Sequence, residues 1–461
     1  MKGVNKVTIF NIFSTVLIQG INFFTLPIFT RVLGAEQYGI YSVFSSWVIL
    51  LACVMGLGVQ SSIGTGKYHF KKEYYSFRSS VLLFGTLFNI ILILLVTIFI
   101  KPVSAFFGYS FLVVEMLLWT AFANFIINFA QNAYIYEKKA GVNFFVSVFL
   151  TISTLVLSLY LLTVFSGDAL FLSRVFGVGI PYFLLAVIIW VVLFFKKPCL
   201  LHKEYCVYSI MMGIPIIFHL LSQNILSQSD RVMMQKMHIS NLEIGIYSFF
   251  YSYVSVLSTI LTALNNSWCP FYYDDLDSEN WERLNEKSEN YIELFTVLTI
   301  GFLLLSREVG YLLSGEEYSS GMDILPILVF AVYFTFMYQF PVNFEFFHRK
   351  TNIIAIGTSS SAILNIILNC IMIPIWGMYG AALATTISYF LLFLAHYFIV
   401  THMKDVYYHL KISVFAKGLV IILFSAVLFY LLKDWWTVRW GLAAGIGIVE
   451  IVKILKRKTI F

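Results

Sequence analysis

Long apolar runs alternate with short polar gaps along the whole chain. A helix needs about 20 predominantly apolar residues to cross the hydrocarbon core of a bilayer. Fourteen runs reach about this length, at about 7–29, 39–63, 79–100, 109–134, 142–165, 170–195, 207–228, 245–270, 291–313, 322–346, 353–375, 378–401, 413–432 and 436–455. The pattern predicts an all-α, polytopic membrane protein with about 14 transmembrane helices.

Composition agrees with a membrane protein. The chain is 60% hydrophobic and 12% charged, with a mean hydropathy of +0.85, whereas a soluble domain carries about 25% charged residues. Such a chain cannot cover itself with polar surface, so a water-soluble globular fold is excluded. The five cysteines form no C-x-x-C pair, and we expect them to be small apolar residues rather than metal ligands or disulfide partners.

Basic residues follow the alternation of the predicted spans. Placing the N-terminus in the cytoplasm puts 22 of the 30 Lys and Arg residues on the cytoplasmic side. A positive-inside bias of this kind sets the orientation of multi-pass proteins, so we predict that both termini are cytoplasmic. Because the basic residues are dispersed over alternate loops, the net charge of +6 reflects topology and indicates no nucleic-acid partner.

A four-letter motif occurs twice, as GIYS at 39–42 and again at 245–248. Six predicted spans separate the copies, so the two helices that carry them run in the same direction. This placement predicts two six-helix lobes in a parallel pseudo-two-fold repeat, plus two extra C-terminal helices. The predicted boundaries are 1–195 for the N-lobe (helices 1–6), 196–206 for a cytoplasmic linker, 207–401 for the C-lobe (helices 7–12), and 402–461 for the extra helices and a basic cytoplasmic tail.

Uncharged polar side chains recur inside several of the apolar runs. Asn124, Asn128 and Gln131 are spaced to lie on one helical face. His219 and Asn365 lie in later runs. Hydrogen bonds between helices would account for any one of them. As a set they favour a wet, polar cavity that binds substrate, because amides can both donate to and accept from sugar hydroxyls.

Charged side chains near the outer ends of the spans are further candidates for substrate binding. Arg31 closes the first run, Arg174 opens the sixth, and Asp230 and Arg231 end the seventh. A charge deep in the bilayer costs about 2.5–3.5 kcal/mol on insertion scales, so it often marks a pathway or a partner. Snorkelling to the interface and a local Asp230–Arg231 pair are the structural alternatives.

The sequence contains no arrangement of residues that is typical of an enzyme. It has no metal-ligand spacing, no nucleophile elbow and no phosphate-binding loop. Glu345 has Arg349 one turn later, which predicts a structural ion pair rather than an ion site. We therefore expect a transporter, with no catalytic residue, no metal and no cofactor.

Three segments resemble the signatures of a known family. They are FFTLPIFTRVLGAEQYGIYSVFSS at 23–46, SQSDRVMMQKMHISNLEIGIYSFFYSYVSVLST at 227–259 and NIILNCIMIPIWGMYGAALATTISY at 365–389. In order and spacing, the chain resembles the polysaccharide transporter family. These are the O-antigen and capsule repeat-unit flippases of the multidrug, oligosaccharidyl-lipid and polysaccharide exporter superfamily.

The resemblance implies a flippase of the bacterial plasma (inner) membrane. Its substrate would be an oligosaccharide repeat unit on undecaprenyl pyrophosphate, moved to the outer leaflet by alternating access for O-antigen, capsule or exopolysaccharide assembly. The family fold implies two six-helix bundles around a central cavity. Arg31 and Arg231 occupy signature positions and are the implied pyrophosphate contacts, whereas Arg174 is chosen from its placement only. Other implied partners are membrane lipid, a coupling ion (H⁺ or Na⁺), and polysaccharide polymerase and ligase machinery.

Two other functions stay open on the sequence. A cation-coupled exporter of drugs or metabolites from the same superfamily would need acidic residues deep in the first lobe, where Glu115 is the nearest. A membrane-embedded glycan polymerase or ligase would need a long outer loop, and the predicted topology has none that could form a domain.

Overall fold

The computed structural model describes residues 2–404 and 407–457, with side chains for Phe23 and from Thr25 onward within those ranges. The described chain is almost entirely helical and contains no β-strand. The predicted all-α, polytopic membrane fold is confirmed. The end of the predicted basic tail, 458–461, lies outside the described residues.

The helices follow one another with short connections. In chain order the α-helices are α1 (Lys2–Val54), α2 (Ser62–Phe70), α3 (Tyr74–Ile98), α4 (Ile100–Phe107), α5 (Phe111–Tyr136), α6 (Ala140–Leu161), α7 (Phe171–Phe195), α8 (Lys203–Lys236), α9 (Asn241–Asp277), α10 (Trp281–Ser314), α11 (Leu325–Phe347), α12 (Thr351–Thr401), α13 (Ile412–Leu431) and α14 (Trp436–Arg457). Short 3₁₀ segments occur at Met55–Ser61, Lys71–Glu73, Gly167–Ala169 and Glu316–Ile324.

Two of the longest helices each contain two predicted spans. Within the described residues, nine stretches are long and apolar enough to cross a membrane, and the first of them, Thr25–Ile98, includes more than one helix. The first predicted run and most of the second lie in α1 and are divided by Gly34, with φ 71°, and the second run ends beyond α1, at the start of α2. The runs at 353–375 and 378–401 lie in α12 and are divided by Gly377, with φ 54°. The count of 14 spans stays a prediction.

The chain divides into two compact units. The first contains Met1–Gln235 and Ser240–Leu242, and the second contains Lys236–Ile239 and Glu243–Phe461. Helices α1 to α8 thus pack in the first unit, and α9 to α14 pack in the second. The lobe boundaries given above follow the sequence repeat and stay a prediction.

The backbone bends of the two units recur at the spacing of the sequence repeat. Most residues with positive φ fall into pairs that are 204 to 211 positions apart. A positive φ disfavours most side chains, so it marks a defined change in chain direction. The GIYS motif recurs at 206 positions, within the same range. The pairs are Gly34 and His238, Lys71 and Glu279, Gly108 and Gly315, Lys138 and Arg349, and Gly167 and Gly377.

The turns after α5 and after α11 show this repeat in their hydrogen bonds. In the first, the Lys139 N–H donates to the Tyr134 carbonyl at 2.8 Å, and in the second the Lys350 N–H donates to the Glu345 carbonyl at 2.8 Å. In both turns the preceding basic residue has φ near 60°. Tyr134 and Glu345 therefore occupy equivalent positions in the two turns.

The break that follows α1 has no such counterpart among the described residues of the second unit. At Met55–Ser61, three consecutive residues, Gly56, Leu57 and Gly58, have positive φ. A Cβ on Gly56 would overlap the ring of Phe125 on α5. The break therefore lets the backbone at the end of α1 lie directly on α5, which holds Phe125 in the core of the first unit.

Candidate binding site in the first unit

The amide side chains of α5 lie on a face that is not packed into the core. Asn128 is exposed, and Asn124, Gln131 and Asn132 are half-buried, although most residues between them are buried. The Asn128 Nδ2 donates to Asn124 Oδ1 at 2.9 Å, and Asn132 Nδ2 donates to the Asn128 carbonyl at 3.0 Å. The predicted stripe is thus one hydrogen-bonded polar surface.

A second polar stripe runs along α6 and was not predicted from the sequence. It joins the first where Gln131 Nε2 donates to Ser147 Oγ at 3.1 Å. Its members are spaced by three or four residues, which places them on one side of the helix over about 22 Å. The members are Asn143, Ser147, Thr151, Thr154 and Ser158.

The stripe on α6 is hard to identify from the sequence because its hydroxyl groups can donate to backbone carbonyls of their own helix. Thr151 Oγ1 donates to the Ser147 carbonyl at 2.9 Å, and Thr154 Oγ1 donates to the Thr151 carbonyl at 3.0 Å. Such bonds to the preceding turn are common for Ser and Thr in transmembrane helices. The signal that could have identified the stripe was the repeated three- and four-residue spacing.

Asn143 at the start of this stripe holds an unused acceptor. Its Oδ1 is buried and accepts no hydrogen bond from the residues that the structure describes. A buried acceptor without a partner costs about 1–3 kcal/mol. A water molecule or a hydroxyl group of a ligand would recover that free energy.

Arg174 stands at the other end of the α6 stripe. It is half-buried, and its Nη1 donates to Ser158 Oγ at 3.3 Å. The guanidinium lies 3.9 Å above the Phe29 ring centroid and 4.9 Å from that of Tyr41, whose hydroxyl accepts from Nη2 at 3.4 Å. Tyr41 belongs to the first GIYS motif. Both aromatic rings come from α1, so α1, α6 and α7 together hold this cation.

Arg174 keeps donors for a further partner. A guanidinium has five N–H groups, and the two hydrogen bonds above use one from each terminal nitrogen. No carboxylate lies within ion-pair distance of Arg174 in the described part of the chain. Cation–π contact stabilises the charge without consuming its N–H groups. The arrangement therefore suits an anionic ligand.

The remaining arginine candidates differ from Arg174 in their surroundings. Arg31 is exposed and lies three residues before the bend at Gly34. Arg231 on α8 is buried, and its Nη1 donates at 3.1 Å both to the Ser227 carbonyl and to Gln228 Oε1. Arg31 is thus exposed, whereas Arg231 is held within the first unit by its own helix.

The other α8 candidates lie in the first unit, and Asn365 lies in the second. Asp230 is fully buried next to Arg231, and His219 lies about three turns earlier and is half-buried. Asn365 is fully buried in the second unit, where its Nδ2 donates to Thr385 Oγ1 at 3.3 Å. That bond joins the two halves of α12. It is the kind of hydrogen bond between helices that was given above as the structural alternative for a single amide. Substrate binding by these three residues stays a prediction.

The predicted Glu345–Arg349 pair is wrong. Glu345 instead contacts His396, whose Nδ1 lies 2.8 Å from both carboxylate oxygens. Arg349 has φ 58° and is exposed, so the helix has already ended and its side chain no longer lies one turn above Glu345.

A buried ion pair directly after the C-terminal end of α5 was also not predicted from the sequence. Arg78 Nη1 lies 2.6 Å from Glu137 Oε1, and both side chains are almost fully buried. Burial acts to raise the pKa of Glu137, but the hydrogen bond from Lys139 and the charge of Arg78 outweigh it and hold the pKa below its usual value. Arg78 Nη2 also donates to the Leu193 carbonyl at 2.7 Å. The pair therefore ties α3, α5 and α7 together.

Comparison with known proteins shows the family of the chain. A family model described as polysaccharide biosynthesis protein matches residues 4–272. Protein 1 of the Lsg locus of Haemophilus influenzae is 22% identical over 344 residues, which cover 72% of this chain and 82% of that protein. The described residues contain no cluster of His, Cys, Asp and Glu that could hold a metal ion.

Solved structures show the same fold at low identity. The lipid II flippase MurJ, in an inward closed conformation, has a TM-score of 0.70 and 17% identity and covers 98% of this chain and 99% of its own. An inward-facing multidrug resistance MATE transporter has a TM-score of 0.59 and 15% identity, and the match covers 90% of this chain and 95% of that one. A MOP superfamily transporter from Pyrococcus furiosus has a TM-score of 0.52 and 16% identity, and the match covers 91% of this chain and 95% of that one. These likenesses show that the chain has the multi-helix fold of these proteins, and they leave its function and substrate open.

Proposed function

The chain belongs to the polysaccharide biosynthesis protein family, and from this premise we propose that it is a flippase for lipid-linked oligosaccharides. It would move repeat units on undecaprenyl pyrophosphate from the inner to the outer leaflet of the bacterial plasma membrane by alternating access, with both termini in the cytoplasm. The products would enter O-antigen, capsule or exopolysaccharide assembly and pass to polymerase and ligase machinery. We propose no catalytic step for the chain itself.

The observation that carries the proposal is Arg174 at the end of a polar face. The substrate has three chemically different parts, which are sugar hydroxyls, a pyrophosphate and an apolar tail. The amides and hydroxyls of α5 and α6 match the sugar, since they both donate and accept. The guanidinium of Arg174 matches the phosphates, since its planar fork can donate two parallel hydrogen bonds to phosphate oxygens.

A pyrophosphate ligand would also explain why the guanidinium of Arg174 packs against aromatic rings. The aromatic rings of Phe29 and Tyr41 hold the guanidinium by its faces. Its edges, which carry the N–H groups, are left to bind oxygen atoms. In the family signatures, Arg31 and Arg231 are the implied phosphate contacts, and we propose that Arg31 acts on the ligand before Arg174, because Arg31 is exposed.

Glu115 bears on the drug-exporter alternative. Its Oε1 accepts from Thr97 Oγ1 at 2.7 Å, and its Oε2 accepts from Trp119 Nε1 at 3.2 Å. A carboxylate that is held by two neighbouring side chains is less suited to capture a cationic drug than one that is open. This favours the oligosaccharide substrate.

Substitution of Arg174 tests the proposal in a strain whose surface glycan depends on this protein. Arg174→Ala should lower surface glycan about tenfold or more, because hydrogen bonds to charged groups contribute about 1.5–3 kcal/mol. Arg174→Lys should keep part of the activity, since it preserves the charge and loses the fork. The matched control is Lys101→Ala, which removes an exposed cation. Normal glycan with Arg174→Ala, at unchanged protein level, would contradict the proposal.

A further inference from the structure

A carboxylate and an imidazole lie together, fully buried, in the second unit. Glu345 is near the end of α11, and His396 is on the second half of α12. Neither side chain is accessible to solvent. The Nδ1 of His396 lies 2.8 Å from Oε1 and 2.8 Å from Oε2 of Glu345, so it is shared between the two oxygens.

No permanently charged residue of the described chain forms an ion pair with this carboxylate. Within residues 2–404 and 407–457, His396 is the only group that forms an ion pair with Glu345. The titratable neighbours are tyrosines: the Tyr338 ring on α11 lies 5.1 Å from the imidazole, and Tyr408, between α12 and α13, interacts electrostatically with Glu345. Arg349, which follows in the chain, is exposed.

The equivalent region of the first unit is built differently. After α5, Glu137 is held by Arg78, and by Lys139 and Lys196 at its other oxygen. Arginine and lysine have ordinary pKa values far above neutral pH. In the second unit the carboxylate depends on histidine, which is the side chain that gains and loses a proton near neutral pH.

The other nitrogen of His396 lies beside Gly357, which lines a cavity. Its Nε2 is buried and has no hydrogen-bond partner among the described residues. It lies against Gly357, where an added Cβ would overlap it. Gly357 lines a cavity of about 530 Å³ between the two halves of α12, where Ser360 and Ser361 supply polar side chains and most other lining residues are Ile or Leu. A single glycine therefore separates the imidazole from this space.

The proton content of the pair decides its net charge. With a proton on each ring nitrogen, His396 is an imidazolium that compensates the carboxylate of Glu345. Loss of the Nε2 proton leaves a neutral imidazole that still donates from Nδ1, and the buried carboxylate then has no opposite charge, which is strongly unfavourable in a low-dielectric interior. Because Nε2 is buried in this packing, proton exchange there requires a conformation in which water reaches Nε2.

We propose that Glu345 and His396 form a proton-binding site that couples transport to a proton gradient. The coupling rests on the proposed flippase function, whereas proton binding by the pair does not. A proton is favoured over Na⁺ because the imidazole already occupies both carboxylate oxygens, and a hard cation needs several oxygen ligands. The cavity beside Gly357 is the path by which water would reach the imidazole.

Proton binding can be measured without any substrate. Infrared difference spectra between acid and alkaline buffer would be recorded on the full-length protein in nanodiscs, for the wild type, Glu345→Gln and His396→Gln. Bands of the carboxylate and imidazole should disappear together in both variants. Gly357→Ala, which leaves both titrating groups in place, should change these bands. Spectra of both variants that match the wild type would overturn the site.

Coupling is measured in proteoliposomes that contain the full chain. The probe is lipid-linked oligosaccharide extracted from cells that make the protein. A pH gradient that is acidic on the side of delivery should raise wild-type transport about tenfold, a usual size for coupling between two sites. Glu345→Gln and His396→Gln should keep basal transport and lose this stimulation. The controls are the exposed residues Glu289→Gln and His402→Gln.

The outcomes separate the two proposals. Stimulation that persists in Glu345→Gln or His396→Gln overturns the coupling and leaves the flippase function intact. Wild-type protein that transports nothing, with or without a gradient, overturns the flippase function and the coupling with it. The infrared spectra then still decide whether the pair binds a proton.

Discussion

Two arginines of the first unit, Arg78 and Arg174, differ in burial and in the partners of their positive charge. Arg78 is fully buried and paired with Glu137 at 2.6 Å. Arg174 is half-buried over aromatic rings and forms no ion pair within the described chain. A compensated cation stabilises the packing of its helices, whereas a cation with unused donors can bind an anion.

Glu137→Gln tests the structural pair by its pH dependence. Because the folded-state pKa of Glu137 is lowered, its stabilising effect is present above the ordinary carboxylate pKa and is lost as the pH falls through the folded value. Removing one partner of a buried pair costs about 3 kcal/mol. Thermal unfolding of the purified protein should therefore show a lower midpoint for Glu137→Gln at neutral pH, and the difference from wild type should shrink in acid. An unchanged midpoint at neutral pH would contradict this role.

Asn128→Leu tests whether the amide surface faces substrate or lipid. Asn128 is exposed, so leucine should fit without disturbing the core. If the surface binds sugar, transport should fall about threefold to tenfold, since one or two hydrogen bonds contribute about 0.5–1.5 kcal/mol each. A more stable protein with normal transport would instead indicate a lipid-facing surface. The measurement combines thermal unfolding with the glycan assay.

At the scale of whole helices, the site combines a predicted stripe with one that was not predicted. The amides of α5 stood out in the sequence because amides are rare in apolar runs. The hydroxyls of α6 did not, because Ser and Thr bond to their own helix in most contexts. Arg174 was chosen from its placement, but its partners Phe29 and Ser158 lie on other helices. Contacts of this kind depend on tertiary packing and cannot be read from spacing.

A substitution at Gly377 tests whether the backbone conformation at this residue is needed to join the two halves of α12. Its φ of 54° and ψ of −129° are reached easily only by glycine, and an added Cβ would overlap the carboxylate of Glu243. That carboxylate accepts from the Met378 N–H at 2.7 Å. Gly377→Ala should therefore lower the unfolding midpoint and the protein level.

Gly141 provides the matched control for this substitution. It lies in the first turn of α6, and an added Cβ would meet no atom within 4 Å. Gly141→Ala should leave stability unchanged or raise it by about 0.4–1 kcal/mol, because alanine reduces the freedom of the unfolded chain. Equal losses in both variants would show that the conformation at Gly377 is not the cause.

At the scale of the whole molecule, hydrophobic periodicity was sufficient to predict an all-α membrane protein. A bilayer-spanning helix must satisfy its backbone internally, so long apolar runs have few alternatives. The motif at 39–42 and 245–248 predicted a repeat, and the paired backbone bends recur at the same spacing. The pairing of Glu345 with His396 could not be predicted, because it joins residues 51 positions apart on different helices.

The central claim is that this protein carries lipid-linked oligosaccharide between leaflets. The most direct measurement is a leaflet-resolved assay of that lipid in a strain that lacks this protein and any other flippase able to replace it. We predict that the repeat units accumulate on the inner leaflet and reach the outer leaflet again when the wild-type chain is restored. Repeat units on the outer leaflet of the strain without the protein would contradict the account.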